Sequence, residues 1–460
     1  MSDVCSPGLP RNGHQGSVLT YDDRAEGFRY DPASQVTTIL HQLGASGPTI
    51  NQAAYTYNGL GNRESLTDRR GIQNFGYDNL DRLTSASHPL LGTAQAFAYD
   101  AVGNRTTAGN VTNAGNQLTA DATHSYQYDD NGNLTRKTLL ATGNYTQYSY
   151  DAENRLIKVE DFVAGNPTAA FTSTYRYDGL GRRIEKVANG QTKRYIYDGE
   201  DILLEYDGSN VLQARYTHGP GIDEPIAVTK GSSTFFYHQD GLGSVTDLTD
   251  AAGATAKSYS YDAYGNILES PGTIEQPYTY TGREFDAESG LYYYRARYYD
   301  PTTGRFLQKD PVSISDDINV YRFVRNNPPT AIDSWGLDYQ HVPGGPYHPP
   351  QGVSIRCKGT DPCPVLKWKI EEYRKTIASH LQFPNHDQEE IVNLAKGLAR
   401  CFKFYNEKKC DNCDKDPTPD HQPQGSSGPV LSPDQRQQLA RNAAVWATIL
   451  TTLAAVAFAF

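Results

Sequence analysis

Residues 175–198 read YRYDGLGRRIEKVANGQTKRYIYD, two copies of one unit with their aspartates, Asp178 and Asp198, twenty residues apart. The unit is aromatic-x-Tyr-Asp. Side chains alternate across a strand, so the two rings of a unit share one face. The Asp that follows favours an Asx-type turn, and a Gly after it supplies positive φ. Arg183-Ile184 then starts a return strand. One unit is thus about one β-hairpin. A single hairpin cannot bury its face alone, so neighbouring units must pair into a long sheet.

The unit recurs on both sides of this stretch. Upstream it ends at Asn58, Asp78, Asp100, Asp129 and Asp151, and downstream once more at Asp262. Early copies are 20 to 29 residues apart, and turn-like strings follow them: GLGNR, NLDRL, AVGNR, DNGNL, AENRL. Ring packing and turn capping account for these Tyr and Asp residues. The run Asp129-Asp130-Asn131-Gly132-Asn133 lacks the alternating ligands and closing Glu of a calcium loop and reads as a turn. No metal site and no cofactor is expected. Carbohydrate binding is the alternative use of so aromatic a repeat surface.

Composition agrees with extended, half-buried strands. Among 460 residues there are 33 Tyr, 41 Gly and one Met, and mean hydropathy is −0.64, low for one large core. The length leaves room for about three domains. The net charge of −11 argues against a general nucleic-acid binder, so no nucleic-acid partner is expected. The start, MSDVCSPGLPRNG, has no basic-then-apolar signal. Placement outside the cell or at its envelope then implies a route without a signal peptide, or a chain that is the tail of a longer one.

After the repeats come FYHQDGLGSVTDLTDAAG (236–253), YSYDAYGN (259–266), YTYTGREFDAESGLYYYRARYYDPTTGRFLQKDP (278–311) and VSISDDINVYRFVRNNPPTAIDSWGL (312–337). With the units of 55–198, these resemble the Rhs/YD-repeat family and its repeat-associated core. The resemblance implies a strand-built hollow shell enclosing a C-terminal polypeptide. It also implies cleavage of the chain after a Pro-x4-Asp-Pro-x-Gly-Leu motif. Here that motif reads Pro328, PTAI, then Asp333-Ser334-Trp335-Gly336-Leu337, with Ser334 where Pro is usual. The family's self-cutting site is aspartyl-protease-like, and Asp310 and Asp333 stand at its carboxylate positions. Arg297 stands at the position of a supporting arginine. The bond to be cut is Leu337–Asp338.

The residue types suit the reaction. Two carboxylates held together can share a proton, so that one acts as base toward water and the other as acid toward the leaving nitrogen. An arginine can orient a carboxylate or steady developing charge. Cutting would be single-turnover, with the substrate at very high effective concentration. Sequence spacing alone does not bring the three residues together. Without the resemblance, Asp310-Pro311 reads as a turn, and Asp316 and Asp317 read as a solvated loop.

Beyond Leu337 the composition changes. A Pro/Gly linker leads to two amphipathic helical patterns, Leu366–Leu381 and Ile391–Tyr405, separated by Pro384. A helical hairpin would bring Cys363 near Cys410 and Cys413, candidates for disulfide stapling. A zinc site that also uses Cys357 is an alternative, although its spacing to Cys363 is wide for a knuckle, and free thiols are another. The chain closes on 18 uncharged residues, Ala443–Phe460, long enough for a membrane span. A buried core helix is the alternative.

The expected layout is a divergent segment (1–54), YD repeats (55–230), a core with the cutting motif (231–337), a linker (338–362), a Cys-bounded helical hairpin (363–413), a second linker (414–438) and an apolar helix (439–460). The fold is mainly β: a hairpin array forming a complete or partial shell, followed by a small α-helical module. The leading expectation is a shell that encloses and releases its own tail, an effector of unassigned activity, with an immunity protein as partner. The alternative is a non-enzymatic envelope protein, anchored by its last helix, whose repeats bind carbohydrate or protein.

Overall fold

A computed structural model describes residues 18–21, 24–33, 35–44, 47–219, 221–311, 319–337 and 340–341. These residues are almost all strand and turn. Among them the only helical pieces are two short 3-10 turns, Tyr280–Gly282 and Val324–Asn326. The C-terminal helical module, the six cysteines, Asp338 and the Ala443–Phe460 run lie outside the described residues. Among those described, no helix is long and apolar enough to cross a membrane.

Two meanders carry the repeats. Eight strands, from Val18–Tyr21 to Gln95–Ala96, form one sheet, and fifteen, from Val111–Thr112 to Thr255–Ser258, form the other. In each, every strand pairs with its neighbour in sequence, because consecutive tight turns allow little else. The larger ladder crosses residue 230 unbroken. At the other end, Phe28-Arg29-Tyr30-Asp31 is a further unit: Asp31 Oδ1 accepts the N–H groups of Ala33 and Gln35, both at 2.9 Å.

The turn chemistry is uniform. Asp178 Oδ1 accepts the N–H groups of Leu180 and Arg182 at 2.9 and 3.0 Å, which is the Asx turn. Arg182 grips the other carboxylate oxygen through Nε at 2.7 Å and sends Nη1 on to the Gly199 carbonyl, in the next unit's turn, at 2.8 Å. Arg82 joins Asp78 to the Asp100 carbonyl in the same way, and Arg155 joins Asp151 to that of Asp178. Asp129, too, caps a turn, with Asn133 N–H at 2.8 Å.

The two rings of a unit do different work. The first is buried, as in Tyr126, Tyr148, Tyr175 and Tyr195. The second sits at a register shift and reaches back. Tyr77, Tyr99, Tyr150, Tyr177 and Tyr197 each donate a hydroxyl to a return-strand carbonyl of the preceding unit, those of Arg63, Leu83, Leu134, Leu156 and Arg183. Phe could pack there but could not make this bond.

The core segment packs against both meanders. Its four-stranded sheet (Glu284–Asp286, Leu291–Tyr294, Arg297–Asp300, Arg305–Phe306) is covered on both faces. The string Leu291-Tyr292-Tyr293-Tyr294 shows the period of two directly. Tyr292 and Tyr294 join a cluster with Tyr216, Tyr237 and Phe323, while Leu291 and Tyr293 join one with Tyr148, Leu156 and Tyr175. Polar bonds fix the docking. Arg183 reaches Glu284 and Asp286 at 2.7 and 2.5 Å, Lys186 reaches Asp286 at 2.8 Å, and Lys137 reaches Asp300 at 3.0 Å. From the smaller meander, Arg63 binds the Pro329 carbonyl at 3.1 Å.

Candidate functional site

Arg297 opens the third strand of the core sheet. Its guanidinium lies over the Phe306 ring, with the guanidinium carbon 3.6 Å from the centroid. A planar fork fixed in this way points its N–H groups in set directions. Nη1 binds the Val320 carbonyl at 3.2 Å, and Nε binds the Gly336 carbonyl at 2.5 Å. Nη2 meets both candidate carboxylates, Asp310 Oδ2 at 3.0 Å and Asp333 Oδ2 at 3.3 Å. The structure thus gathers all three predicted residues on one nitrogen, although 36 residues separate Arg297 from Asp333.

Each carboxylate is placed by its own backbone. The Asp310 N–H bonds the Val320 carbonyl at 2.9 Å. Asp333 follows the short strand Ala331–Ile332 and begins a turn closed at Gly336. Its Oδ1 accepts the Leu337 N–H at 3.0 Å, so the carboxylate lies beside the last residue of the motif. Arg297, Asp333 and Leu337 are buried, whereas the Asp310 side chain keeps 16 % exposure. Asp316, Asp317 and Asp338 are outside the described residues.

Three consecutive residues hold three consecutive carbonyls of this turn. Arg295 Nη1 donates to Ser334 O, the Ala296 N–H to Trp335 O and Arg297 Nε to Gly336 O. Gly336 has φ +65°, and a Cβ there would stand 2.3 Å from the Tyr294 carbonyl, so the turn needs glycine. The Ser334 hydroxyl is buried without a hydrogen-bond partner among the described residues, as expected for a slot suited to a proline ring.

Arg295 is itself anchored. Its Nη2 lies 2.8 Å from Asp223 Oδ1, which also takes Arg283 at 2.5 Å. Burial pushes the Asp223 carboxyl up, but the two guanidiniums outweigh burial and hold it below the usual carboxylate range. Sequence reasoning missed Arg295, Asp223 and Gly336. The Arg-Ala-Arg triplet is a legible signal for the first, and the motif glycine for the last. Asp223 is 72 residues from Arg295 and has none.

Among the described residues no cluster of three or more His, Cys, Asp and Glu side chains could hold a metal ion. A cleft of about 450 Å³ runs between strands 124–170 and the core hairpins. Its Tyr145 ring is stacked on Phe162 at 4.8 Å and covered by Arg136 at 3.5 Å, which leaves a sugar no open face on that ring.

Comparison with known proteins agrees with this architecture. The profile of the family described as Teneurin YD-shell matches residues 61–329. The chain is 34 % identical over 345 residues to the tRNA nuclease WapA of Bacillus subtilis, covering 71 % of this chain and 14 % of that protein. It is 30 % identical over 334 residues to the double-stranded DNA deaminase toxin A of Burkholderia cenocepacia, covering 64 % and 23 % respectively. The chain therefore spans a small part of the curated relatives it matches. A crystal structure of TcdB2-TccC3-TEV superposes with a TM-score of 0.50 at 21 % identity, over 69 % of this chain and 18 % of that one, a likeness of fold.

Proposed function

The chain belongs to the YD-shell family of Rhs/YD-repeat proteins, and from that membership we propose that its core cuts its own backbone after Leu337 and releases residues 338–460 as an effector-like tail. The observation that carries this reading is the meeting of Asp310 and Asp333 on Arg297, with the Leu337 N–H held by Asp333. In the proposed reaction one carboxylate takes a proton from water as it attacks the Leu337 carbonyl carbon. The other delivers a proton to the Asp338 nitrogen as the C–N bond breaks. Arg297 holds both carboxylates and the Gly336 carbonyl, which fixes the scissile bond relative to the acid and base. Water entering from the exposed side of Asp310 suits that residue to the basic role.

The curated relatives named above are toxins or nucleases by name, and the tail is proposed to be of the toxin kind, with a neighbouring immunity protein as partner. The tail's target is left open. Intact-mass spectrometry of the purified chain tests the reading. Two fragments that meet at Leu337 and Asp338 are expected, and Asp333→Asn should give one intact chain. A wild-type chain that stays intact, and fractionates with membranes, would instead favour the envelope-anchored alternative.

A further inference from the structure

The Arg295–Asp223 pair lies outside the carboxylate site and yet reaches it. Asp223 sits in the turn between strands Leu212–His218 and Pro225–Lys230 of the larger meander. It is buried at φ +61°, in the left-handed region that aspartate and asparagine enter more readily than other non-glycine residues. Arg295 also has positive φ, +56°. The two left-handed residues meet in one buried contact between adjacent elements. From that contact Arg295 also donates to the Ser334 carbonyl, next to Asp333, while its Nε lies 3.9 Å from Glu200 Oε2.

We infer that Asp223 and Arg295 are positioning residues that make self-cleavage depend on assembly of the meander. Asp223 becomes available only when its two strands have paired. It then orients Arg295, and Arg295 pulls the Ser334 carbonyl into the place that aligns Asp333 and Leu337 with Arg297. An unassembled chain has the same residues but not the tether, and cuts slowly. The inference rests on the cleavage reading above and adds when cutting is licensed.

The test uses the full chain and two variants. Asp223→Asn removes the charge and keeps the turn, since asparagine tolerates positive φ equally well. Arg295→Lys keeps the charge but loses the planar fork that spans Asp223 and Ser334. Hydrogen–deuterium exchange is read on the peptide containing 333–337 and, as control, on strands 225–239. Single-turnover cutting is followed by mass spectrometry.

Exchange at 333–337 is expected to rise by about tenfold or more, with cutting slowed by at least a similar factor, while exchange in the control strands holds. A merely structural role would loosen both peptides together. Folded variants with unchanged exchange at 333–337, or with looser exchange but undiminished cutting, would overturn the inference. If Asp223→Asn does not fold, Arg295→Lys decides. If wild type itself is never cut, the cleavage reading fails, and the tether is judged on exchange alone.

Discussion

Replacing Arg183 with methionine should unseat the core from the larger meander, and the size of the effect can be worked from the contacts. Arg183 is 1 % exposed. Its Nη1 binds Asp286 at 2.5 Å and the Tyr298 hydroxyl at 3.1 Å, its Nη2 binds Glu284 at 2.7 Å, and the guanidinium carbon lies 4.7 Å from the Tyr293 centroid. Methionine fills much of the space but leaves two buried carboxylates short of a cation. Lys186 remains on Asp286, and Arg283 is 4.0 Å from Glu284. Removing one partner of a buried pair costs about 3–5 kcal/mol. Urea denaturation followed by tyrosine fluorescence should show a loss in that range at pH 7.

The pH dependence gives a second check. Burial alone would raise the Asp286 carboxyl, but Arg183 and Lys186 together hold it below the usual carboxylate range in the folded chain. A depressed folded value means that Asp286 contributes stability above the unfolded carboxylate pKa, about 4, and loses it as pH falls through the folded value. In Arg183→Met the same carboxyl keeps its burial penalty with less compensation, so protonation costs it less. The gap between wild type and variant should therefore narrow below about pH 4. A variant within about 1 kcal/mol of wild type at pH 7, or a gap that stays constant down to pH 3, would refute the reasoning.

Three further outcomes follow from single contacts. Tyr177→Phe removes the hydroxyl bond to the Leu156 carbonyl and should cost about 1 kcal/mol, whereas Tyr237→Phe deletes a buried hydroxyl without a partner among the described residues and should cost nothing measurable; paired denaturation curves compare them. Gly336→Ala puts a Cβ 2.3 Å from a backbone carbonyl and should slow cutting on the order of a hundredfold in single-turnover mass spectrometry, while far-UV circular dichroism stays that of a β protein. Ser334→Ala removes an unpartnered buried hydroxyl, so thermal unfolding should be unchanged or up to about 1 kcal/mol more stable; a clear loss would mean that the hydroxyl has a partner.

Much of the meander can be read from short strings, because its chemistry is local. The Asx turn at Asp178 needs only residues 178–182, and burial of the first ring needs only the alternation of a strand. The role of the second ring was less legible. Tyr177 bonds Leu156, 21 residues back, and only the pairing of successive units reveals why a hydroxyl is required. Arg182 reads in sequence as the start of a return strand and acts as a staple between turns. The unit at Phe28–Asp31 follows the same pattern within a segment otherwise divergent in sequence. The site was legible only through family resemblance. Asp310 and Asp333 converge because the Asp310 N–H pairs with the Val320 carbonyl and Asp333 follows the strand Ala331–Ile332, and nothing in their spacing encodes those contacts. Asp223 is less legible still, since it belongs to a different sheet.

Ser334 is where these lines meet. A proline there would fix one φ from within the chain. In its absence the same turn is fixed from outside, by donors from Arg295, Ala296 and Arg297 on the carbonyls of Ser334, Trp335 and Gly336. Internal and external restraints on one backbone segment substitute for each other, so the loss of Arg295 should weigh more here than in a chain that carries the proline. Restoring it should then compensate. In an Arg295→Lys background, Ser334→Pro is expected to recover at least about half of the lost protection of the 333–337 amides, on the scale of one backbone restraint. Protection that stays at the level of the single variant would mean that the clamp acts by orienting the Ser334 carbonyl itself rather than by restricting the backbone around it.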